Sequence, residues 1–151
     1  MLRAVFLIMA MGFFSRPTRA AIQFEQLQFD PPQNWRIHQH AKDQSTILMS
    51  LTNGADQAHM YAKTGTGVDM KATFAFGSEI LRDITEFTAN GITWQTLLTK
   101  KTNRDISTTI FVAAFSTERK GVTYYGYSRG RTQAESLSNA TALMTATTAA
   151  P

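Results

Sequence analysis

Three β-rich stretches in the second half of the chain constrain its fold more than any other feature. They cover residues 92–100, 108–116 and 122–128, and β-branched and aromatic side chains are frequent in them. The segments 102–105 and 118–121 that separate them have the polar composition of turns. This rhythm predicts a meander of three antiparallel strands.

Shorter β patterns come before the meander. An extended segment is predicted over residues 22–29, with a bulge near Glu25, where the apolar alternation changes phase. Two prolines then exclude a central strand, and the next strand is predicted over residues 35–40. Residues 47–51 and 59–62 predict the two strands of a hairpin, whose Asn53-Gly54 turn lies in a longer loop.

A helix is predicted between these strands and the meander. Apolar residues recur at spacings of three and four over residues 74–88, and charged residues occupy the other side. This period predicts an amphipathic helix from about Lys71 or Ser78 to Phe87. Asp69 precedes it as a candidate cap.

A second helix is predicted over residues 132–144. Thr132 is its candidate N-cap, and Glu135 follows three residues later as the partner expected in a capping box. Residues 147–151 have little to bury and are expected to fray. Together the patterns predict an α+β fold, with an antiparallel sheet of about six strands sandwiched with two main helices.

Residues 1–20 have the three parts of a cleavable signal peptide. Arg3 supplies the positive charge, residues 4–14 are apolar, and residues 15–20 form a short polar region. The apolar run is too short for a spanning helix, which needs roughly 20 such residues. Small side chains before Ala21 place the expected cleavage there. We therefore expect an exported protein whose single domain covers residues 21–151, with no stable membrane anchor after cleavage.

Composition excludes several classes of site. The chain has no cysteine, so it has no disulfide framework, thiolate metal site or cysteine nucleophile. Its net charge of +4 falls to about +1 without the three arginines of residues 1–20, which removes the global electrostatic argument for nucleic-acid binding. Basic clusters remain around residues 100–104, 119–120 and 129–131, and we interpret them as solvated turns and strand ends.

The order of elements resembles the PsbP-like superfamily, which includes the bacterial periplasmic DcrB proteins. The features that carry the resemblance are the sequence Phe29-Asp30-Pro31-Pro32-Gln33-Asn34-Trp35, the central amphipathic helix, the meander, and Tyr124-Tyr125-Gly126-Tyr127-Ser128 followed by a helix over residues 134–144. The resemblance implies an antiparallel sheet sandwiched by helices. It also implies an accessory or binding domain without catalytic residues. Bacterial members are often lipid-anchored, and the absence of cysteine here departs from that habit.

The segment from Gly126 to Gly130 fits the G-x-S-x-G pattern of serine hydrolases, with Ser128 as the candidate nucleophile. The mechanism needs a histidine base and an acid, which follow the serine in that fold. The residues after Gly130 include neither His nor Asp. The preferred interpretation is structural: Gly126 is a point of close approach in a strand, and Gly130 is a turn into the helix.

The three histidines are the candidate metal ligands. His38 and His40 are predicted on one face of a strand, and His59 lies on another strand nearby in sequence. Three imidazoles with an open fourth position can hold a catalytic zinc ion, which leaves a metal-binding protein or metallohydrolase as an alternative function. No carboxylate is placed to orient the rings, and exposed histidines at a strand end are the preferred interpretation, with no metal bound.

The sequence contains no assembled catalytic set. The Gly65–Gly67 segment resembles part of an anion-binding loop, but the full phosphate-loop pattern is absent and a flexible loop is preferred. We therefore predict a non-enzymatic accessory or interaction domain without a cofactor. Its expected partner is another envelope protein, and its expected location is the periplasm, with secretion as the alternative.

Overall fold

The computed structural model of the protein describes residues 21–40, 46–51, 57–65 and 67–151. The predicted signal peptide and the predicted Asn53-Gly54 turn lie outside the described residues. In chain order the elements are β1 (Ile22–Phe24), β2 (Leu27–Phe29), β3 (Trp35–His40), β4 (Thr46–Leu51), β5 (Gln57–Thr64), α1 (Met70–Phe74), β6 (Glu79–Ala89), β7 (Ile92–Asn103), β8 (Thr108–Arg119), β9 (Val122–Gly130), α2 (Gln133–Thr145) and β10 (Thr147–Ala149).

The strands form two antiparallel sheets. The large sheet has seven strands in the order β3-β4-β5-β9-β8-β7-β6, and the small sheet has the order β1-β2-β10. The predicted α+β class and the meander β7-β8-β9 are confirmed. The two strands predicted as a hairpin also pair with each other, as β4 and β5. The large sheet has seven strands where about six were predicted. Strands β5 and β9 join its two halves, although they are distant in sequence.

One face of the large sheet, here called the inner face, carries the main core. It includes Met60, Trp94 and Phe115, and α2 and the small sheet cover it. Phe24 of β1 meets Tyr124 of β9 edge to face, with ring centroids 5.7 Å apart. Each large apolar side chain buried here contributes about 1.5–3 kcal/mol relative to exposure, so the hydrophobic stabilisation of the described residues is concentrated in this layer.

The opposite, outer face is covered only in part within the described residues. The short helix α1 packs against it through Met70 and Phe74, which contact Leu97, Ala114 and Tyr127. Asp69 caps α1 as predicted, because its Oδ1 accepts a hydrogen bond of 3.0 Å from the Ala72 N–H. None of the helices in the described part of the chain has the length and hydrophobicity to cross a membrane.

The predicted helix ending at Phe87 is wrong over most of its length. Helix α1 ends at Phe74, and after Gly77, whose φ of 69° suits a turn, the chain enters the edge strand β6 at Glu79. Strand β6 is rich in β-branched residues such as Ile84, which favour extended backbone.

The bulges of β6 explain why its sequence has a helical period. Its pairing with β7 shifts register between Ile80 and Arg82, and again between Arg82 and Thr85. Each shift adds a residue to β6, so its apolar side chains do not alternate strictly with a period of two. Leu81 and Phe87 still reach the inner core. Ile84 lies midway between them in the sequence, and the resulting spacing of three predicted a helix, although Ile84 is exposed.

Both ends of the domain also differ from the prediction. The extended segment 22–29 is a hairpin of β1 and β2, with Glu25 at a φ of 55° in the turn where a bulge was predicted. The first part of the supposedly frayed tail is strand β10, which pairs with β2, and Thr147 is fully buried. The Oγ1 of Thr147 donates a hydrogen bond of 2.9 Å to the Leu143 carbonyl, which ties this strand to α2.

Helix α2 begins as the sequence predicted. The Oγ1 of Thr132 accepts a hydrogen bond of 3.1 Å from the Glu135 N–H. The Glu135 carboxylate accepts one of 3.0 Å from the N–H of Arg131, one residue before the cap. These bonds satisfy N–H groups at the start of the helix, so its first turn is fixed where the chain leaves β9.

Candidate functional site

Four ring-bearing residues form a cluster on the outer face, here called the aromatic ladder: His59, Tyr61, Tyr125 and Tyr127. Side chains alternate between the faces of a strand, so His59 and Tyr61 of β5 point away from the core that contains Met60. The β5–β9 register places His59 opposite Tyr127 and Tyr61 opposite Tyr125. All four side chains are half-buried. The ladder therefore combines packed rings with a surface that a partner can reach.

The rings of the ladder contact one another across and along the strands. The centroids of His59 and Tyr127 are 5.0 Å apart, those of Tyr61 and Tyr125 are 5.1 Å apart, and those of His59 and Tyr61 are 5.9 Å apart. The His59 Nδ1 is also hydrogen-bonded to the Tyr127 hydroxyl. Aromatic pairs at these separations add about 0.5–1.5 kcal/mol beyond their buried area, so the rings hold one another in place.

The ladder is bordered by Phe74 on one side and Arg129 on another. Phe74 meets Tyr127 and Tyr125 edge to face, at centroid distances of 5.8 Å and 6.5 Å. The Arg129 guanidinium carbon lies 5.5 Å from the centroid of the Tyr127 ring, within the range of a cation–π contact. The site therefore has an apolar border and a cationic border.

Burial and the nearby cation set the protonation of the ladder. Partial burial lowers the pKa of the His59 imidazole from its usual 6.5, and the positive charge of Arg129 lowers it further. Partial burial also raises the pKa of the Tyr61 hydroxyl above its usual value of 10. At neutral pH both rings are therefore uncharged.

The segment before α1 is fixed to the outer face at Thr123. The Gly67 N–H donates a hydrogen bond of 3.0 Å to the Thr123 Oγ1, which donates one of 3.0 Å to the Gly65 carbonyl. The Gly65 N–H donates to the Gly121 carbonyl. The N–H groups of Gly65 and Gly67 are therefore engaged within the protein, which argues against their use as an anion-binding loop. Thr66 lies outside the described residues.

Gly126 keeps the two central strands at the spacing that the ladder needs. A Cβ built at this position would overlap the His59 carbonyl oxygen and lie 3.0 Å from two ring carbons of Phe115. This close approach is the role predicted for Gly126. At Gly130 an added Cβ would lie 2.7 Å from the Ser136 nitrogen, so glycine there lets β9 run close to α2.

Ser128 lies where a nucleophile cannot work. Its side chain is fully buried on the inner face, opposite Ala58 and Ala113 in the neighbouring strands. Its Oγ lies 3.5 Å from the Arg129 carbonyl oxygen, its hydrogen-bond acceptor. His59 lies on the outer face of the adjacent strand and bonds to Tyr127. Activation of a serine needs a base within hydrogen-bond reach, and neither described imidazole is a partner of Ser128.

His38 and His59, the two candidate metal ligands whose side chains are described, have separate hydrogen-bond partners. The His38 Nε2 is hydrogen-bonded to the Ser50 Oγ, whereas His59 bonds to Tyr127. His40 belongs to β3, but its side chain lies outside the described part of the structure. A register shift between Ile37 and Gln39 breaks the simple alternation that predicted a shared face for His38 and His40. Among the described side chains, no three His, Cys, Asp or Glu residues are grouped as a metal site.

Sequence reasoning missed the aromatic ladder as a site. The spacing of two between His59 and Tyr61, and between Tyr125 and Tyr127, was the available signal, since residues at this spacing share a face of a strand. The pattern could not show that β5 and β9 are neighbours. That pairing alone brings the four rings together.

Comparisons with solved structures show which fold the chain has. No protein-family model and no curated protein matches the sequence. The solution structure of cyanobacterial PsbP from Synechocystis is similar over 86% of this chain and 90% of that chain, with a TM-score of 0.56 at 9% sequence identity. This chain has a PsbP-like fold. The fold predicted from the resemblance is therefore confirmed.

Two further solved structures are similar to this chain. A crystal structure from Bacteroides thetaiotaomicron matches 83% of the chain with a TM-score of 0.56 at 9% identity. The chain covers 46% of that protein, slightly less than half its length. LpqN of Mycobacterium tuberculosis, a protein involved in cell envelope biogenesis, matches 83% of each chain with a TM-score of 0.49 at 14% identity.

Proposed function

We propose that this protein is an exported, non-enzymatic accessory domain that binds another protein of the bacterial cell envelope through the aromatic ladder. The observation that carries the proposal is the asymmetry of the large sheet. Its inner face is covered by α2 and the small sheet, whereas in the described part of the structure His59, Tyr61, Tyr125 and Tyr127 on the outer face are only partly buried. Interfaces between proteins are enriched in tyrosine and arginine, and tyrosine is frequent among their strongest contacts.

The N-terminal sequence supports export. Residues 1–20 have the charge, apolar run and cleavage-site pattern of a signal peptide, and we place the mature protein in the periplasm. The protein isolated from its host should begin at Ala21. Intact-mass measurement that finds residues 1–20 retained would contradict export by this route. Recovery of the processed protein in the culture medium would show that it is secreted and does not remain in the periplasm.

The chemistry of the candidate residues supports a role without catalysis. Ser128 is buried without a base, and the described imidazoles of His38 and His59 bond to separate hydroxyl groups. The PsbP-like fold agrees with this proposal, since the resemblance implies an accessory domain.

Photo-crosslinking in the living host tests the proposed surface. A photoreactive phenylalanine analogue replaces Tyr125 in the ladder, and a matched variant carries it at Ser138, an exposed position on α2. We expect a discrete adduct with one envelope protein from position 125 and none with the same protein from position 138. Adducts with that protein from position 138 alone, or no discrete adduct from 125, would contradict the proposal.

A further inference from the structure

A second surface feature adjoins the ladder at Arg129 and lies where β9 ends. A cleft of about 300 Å³ is lined by Gln57, Thr108, Thr109, Ile110, Arg129, Gly130 and Arg131. Water occupies roughly 30 Å³ per molecule in the liquid, so the cleft has room for a ligand of about ten heavy atoms. Its size therefore suits a small molecule or a single headgroup.

The fold gathers basic residues that are separate in the sequence at this corner. Arg129 and Arg131 line the cleft, and Lys101 is opposite Ile110 of the cleft in the β7–β8 register. All three basic side chains are exposed. The sequence predicted solvated turns and strand ends here, and it does not show that two of the basic clusters lie at one corner.

The two guanidinium groups have no acidic partner in the described part of the chain. The ion pair in those residues joins Lys71 of α1 to Asp83 of the edge strand β6, and it includes neither arginine. Glu135 is close in sequence, but its carboxylate oxygen accepts the backbone N–H of Arg131. Arg129 is held over the Tyr127 ring, and that contact leaves its N–H donors available.

The donors in the cleft match a phosphate group. A guanidinium presents its N–H groups in a planar fork that binds phosphate or carboxylate oxygens in pairs. The two guanidinium groups, which have no acidic partner among the described residues, carry a charge of +2. A phosphate monoester with nearly two negative charges neutralises this charge, whereas a single carboxylate does not. The exposed amide of Gln57 adds a further donor at the rim.

We propose that the cleft between Arg129 and Arg131 binds a phosphate monoester. The phosphate bonds to both guanidinium groups, and the organic part of the ligand occupies the rest of the cleft against Thr109 and Ile110. The same phosphate chemistry occurs in a free molecule such as glycerol phosphate and in the headgroup of phosphatidic acid. The site goes beyond the proposed protein interaction, because it uses the corner of the outer face and a different class of ligand.

Titration of the purified protein with defined probes tests the site. Free glycerol phosphate is titrated while the backbone amide signals are followed by NMR, and vesicles of phosphatidylcholine with or without phosphatidic acid are tested by co-sedimentation. We expect saturable binding in at least one of the two arms. A response to glycerol phosphate identifies a free ligand, and a response to phosphatidic acid vesicles alone identifies a lipid headgroup. In the NMR arm the shifts should centre on Gln57, Thr109 and Gly130.

Charge-matched variants separate a built site from general basicity. Arg129→Gln and Arg131→Gln should each weaken the binding by about tenfold or more, because each removes charged hydrogen bonds to the phosphate. Lys120→Gln removes one positive charge at the opposite end of the β8–β9 hairpin and should leave the affinity unchanged within about twofold. Melting temperatures confirm that each variant is folded. Absence of saturable binding in both arms, or an equal loss in Lys120→Gln, would overturn the proposal.

Discussion

Replacement of Gly126 by alanine should destabilise the domain, although this change often stabilises proteins. Gly126 has no positive φ, so its backbone conformation is open to alanine. Alanine also restricts the unfolded chain, which alone would raise the free energy of unfolding by about 0.4–1 kcal/mol. The added methyl group would overlap the His59 carbonyl oxygen and press on the ring of Phe115, which is fully buried. Overpacking in a rigid core costs about 1–3 kcal/mol, and contact with a backbone atom favours the upper end.

Gly126→Ala should therefore lose about 2 kcal/mol in the free energy of unfolding, which lowers the melting temperature by roughly 8 °C for a domain of this size. Urea unfolding followed by the fluorescence of the buried Trp35 and Trp94 measures it. Gly121→Ala is the control, because the added Cβ has no atom within 4 Å. The φ of +76° at Gly121 should make this change cost only about 1 kcal/mol in the free energy of unfolding. A midpoint for Gly126→Ala at or above that of the wild type would refute the packing argument.

Three further predictions test separate parts of the structure. Tyr124→Phe should cost about 1–2 kcal/mol in the free energy of unfolding, because the Gln26 N–H loses its 2.7 Å bond to the tyrosine hydroxyl; urea midpoints that match the wild type would contradict this. Burial and Arg129 lower the pKa of His59 below 6.5, so its contribution to stability is present above pH 6.5 and is lost as pH falls through the lower folded pKa. His59→Gln should therefore show a smaller loss of stability between pH 7.5 and pH 5 than the wild type, and an equal or larger loss would disprove the assignment. Ser128→Ala should leave partner binding unchanged and stability within about 1 kcal/mol, and labelling of the wild type at Ser128 by a fluorophosphonate probe would show the hydrolase reading to be right.

The sequence predicted those elements whose determinants are local. Thr132 and Glu135 mark the start of α2 within four residues, and short polar turns mark the meander. The elements that it mispredicted depend on distant partners or on irregular pairing. Strand β10 forms because Thr147 pairs with Phe29, and no local pattern contains that information.

The limits of the site prediction have the same physical origin. The histidines are candidate metal ligands in the sequence because the residue type alone indicates that chemistry. The ladder becomes visible only when β5 lies beside β9, which places His59 opposite Tyr127 across 68 residues of chain. The cationic cleft likewise depends on β8, which brings Lys101 and Arg131 to one corner. Sites of this kind follow from topology, and single-sequence patterns do not encode it.

The affinity of the crosslinked envelope protein for ladder variants tests the central claim most directly. Binding to the purified wild type is compared with Tyr125→Ala in the ladder and Ser138→Ala on the exposed side of α2, after melting curves show that both variants are folded. The account predicts that Tyr125→Ala weakens binding by about tenfold or more, as expected for a tyrosine at the centre of an interface, and that Ser138→Ala leaves it unchanged. Equal affinity of all three proteins, or a loss confined to Ser138→Ala, would contradict it.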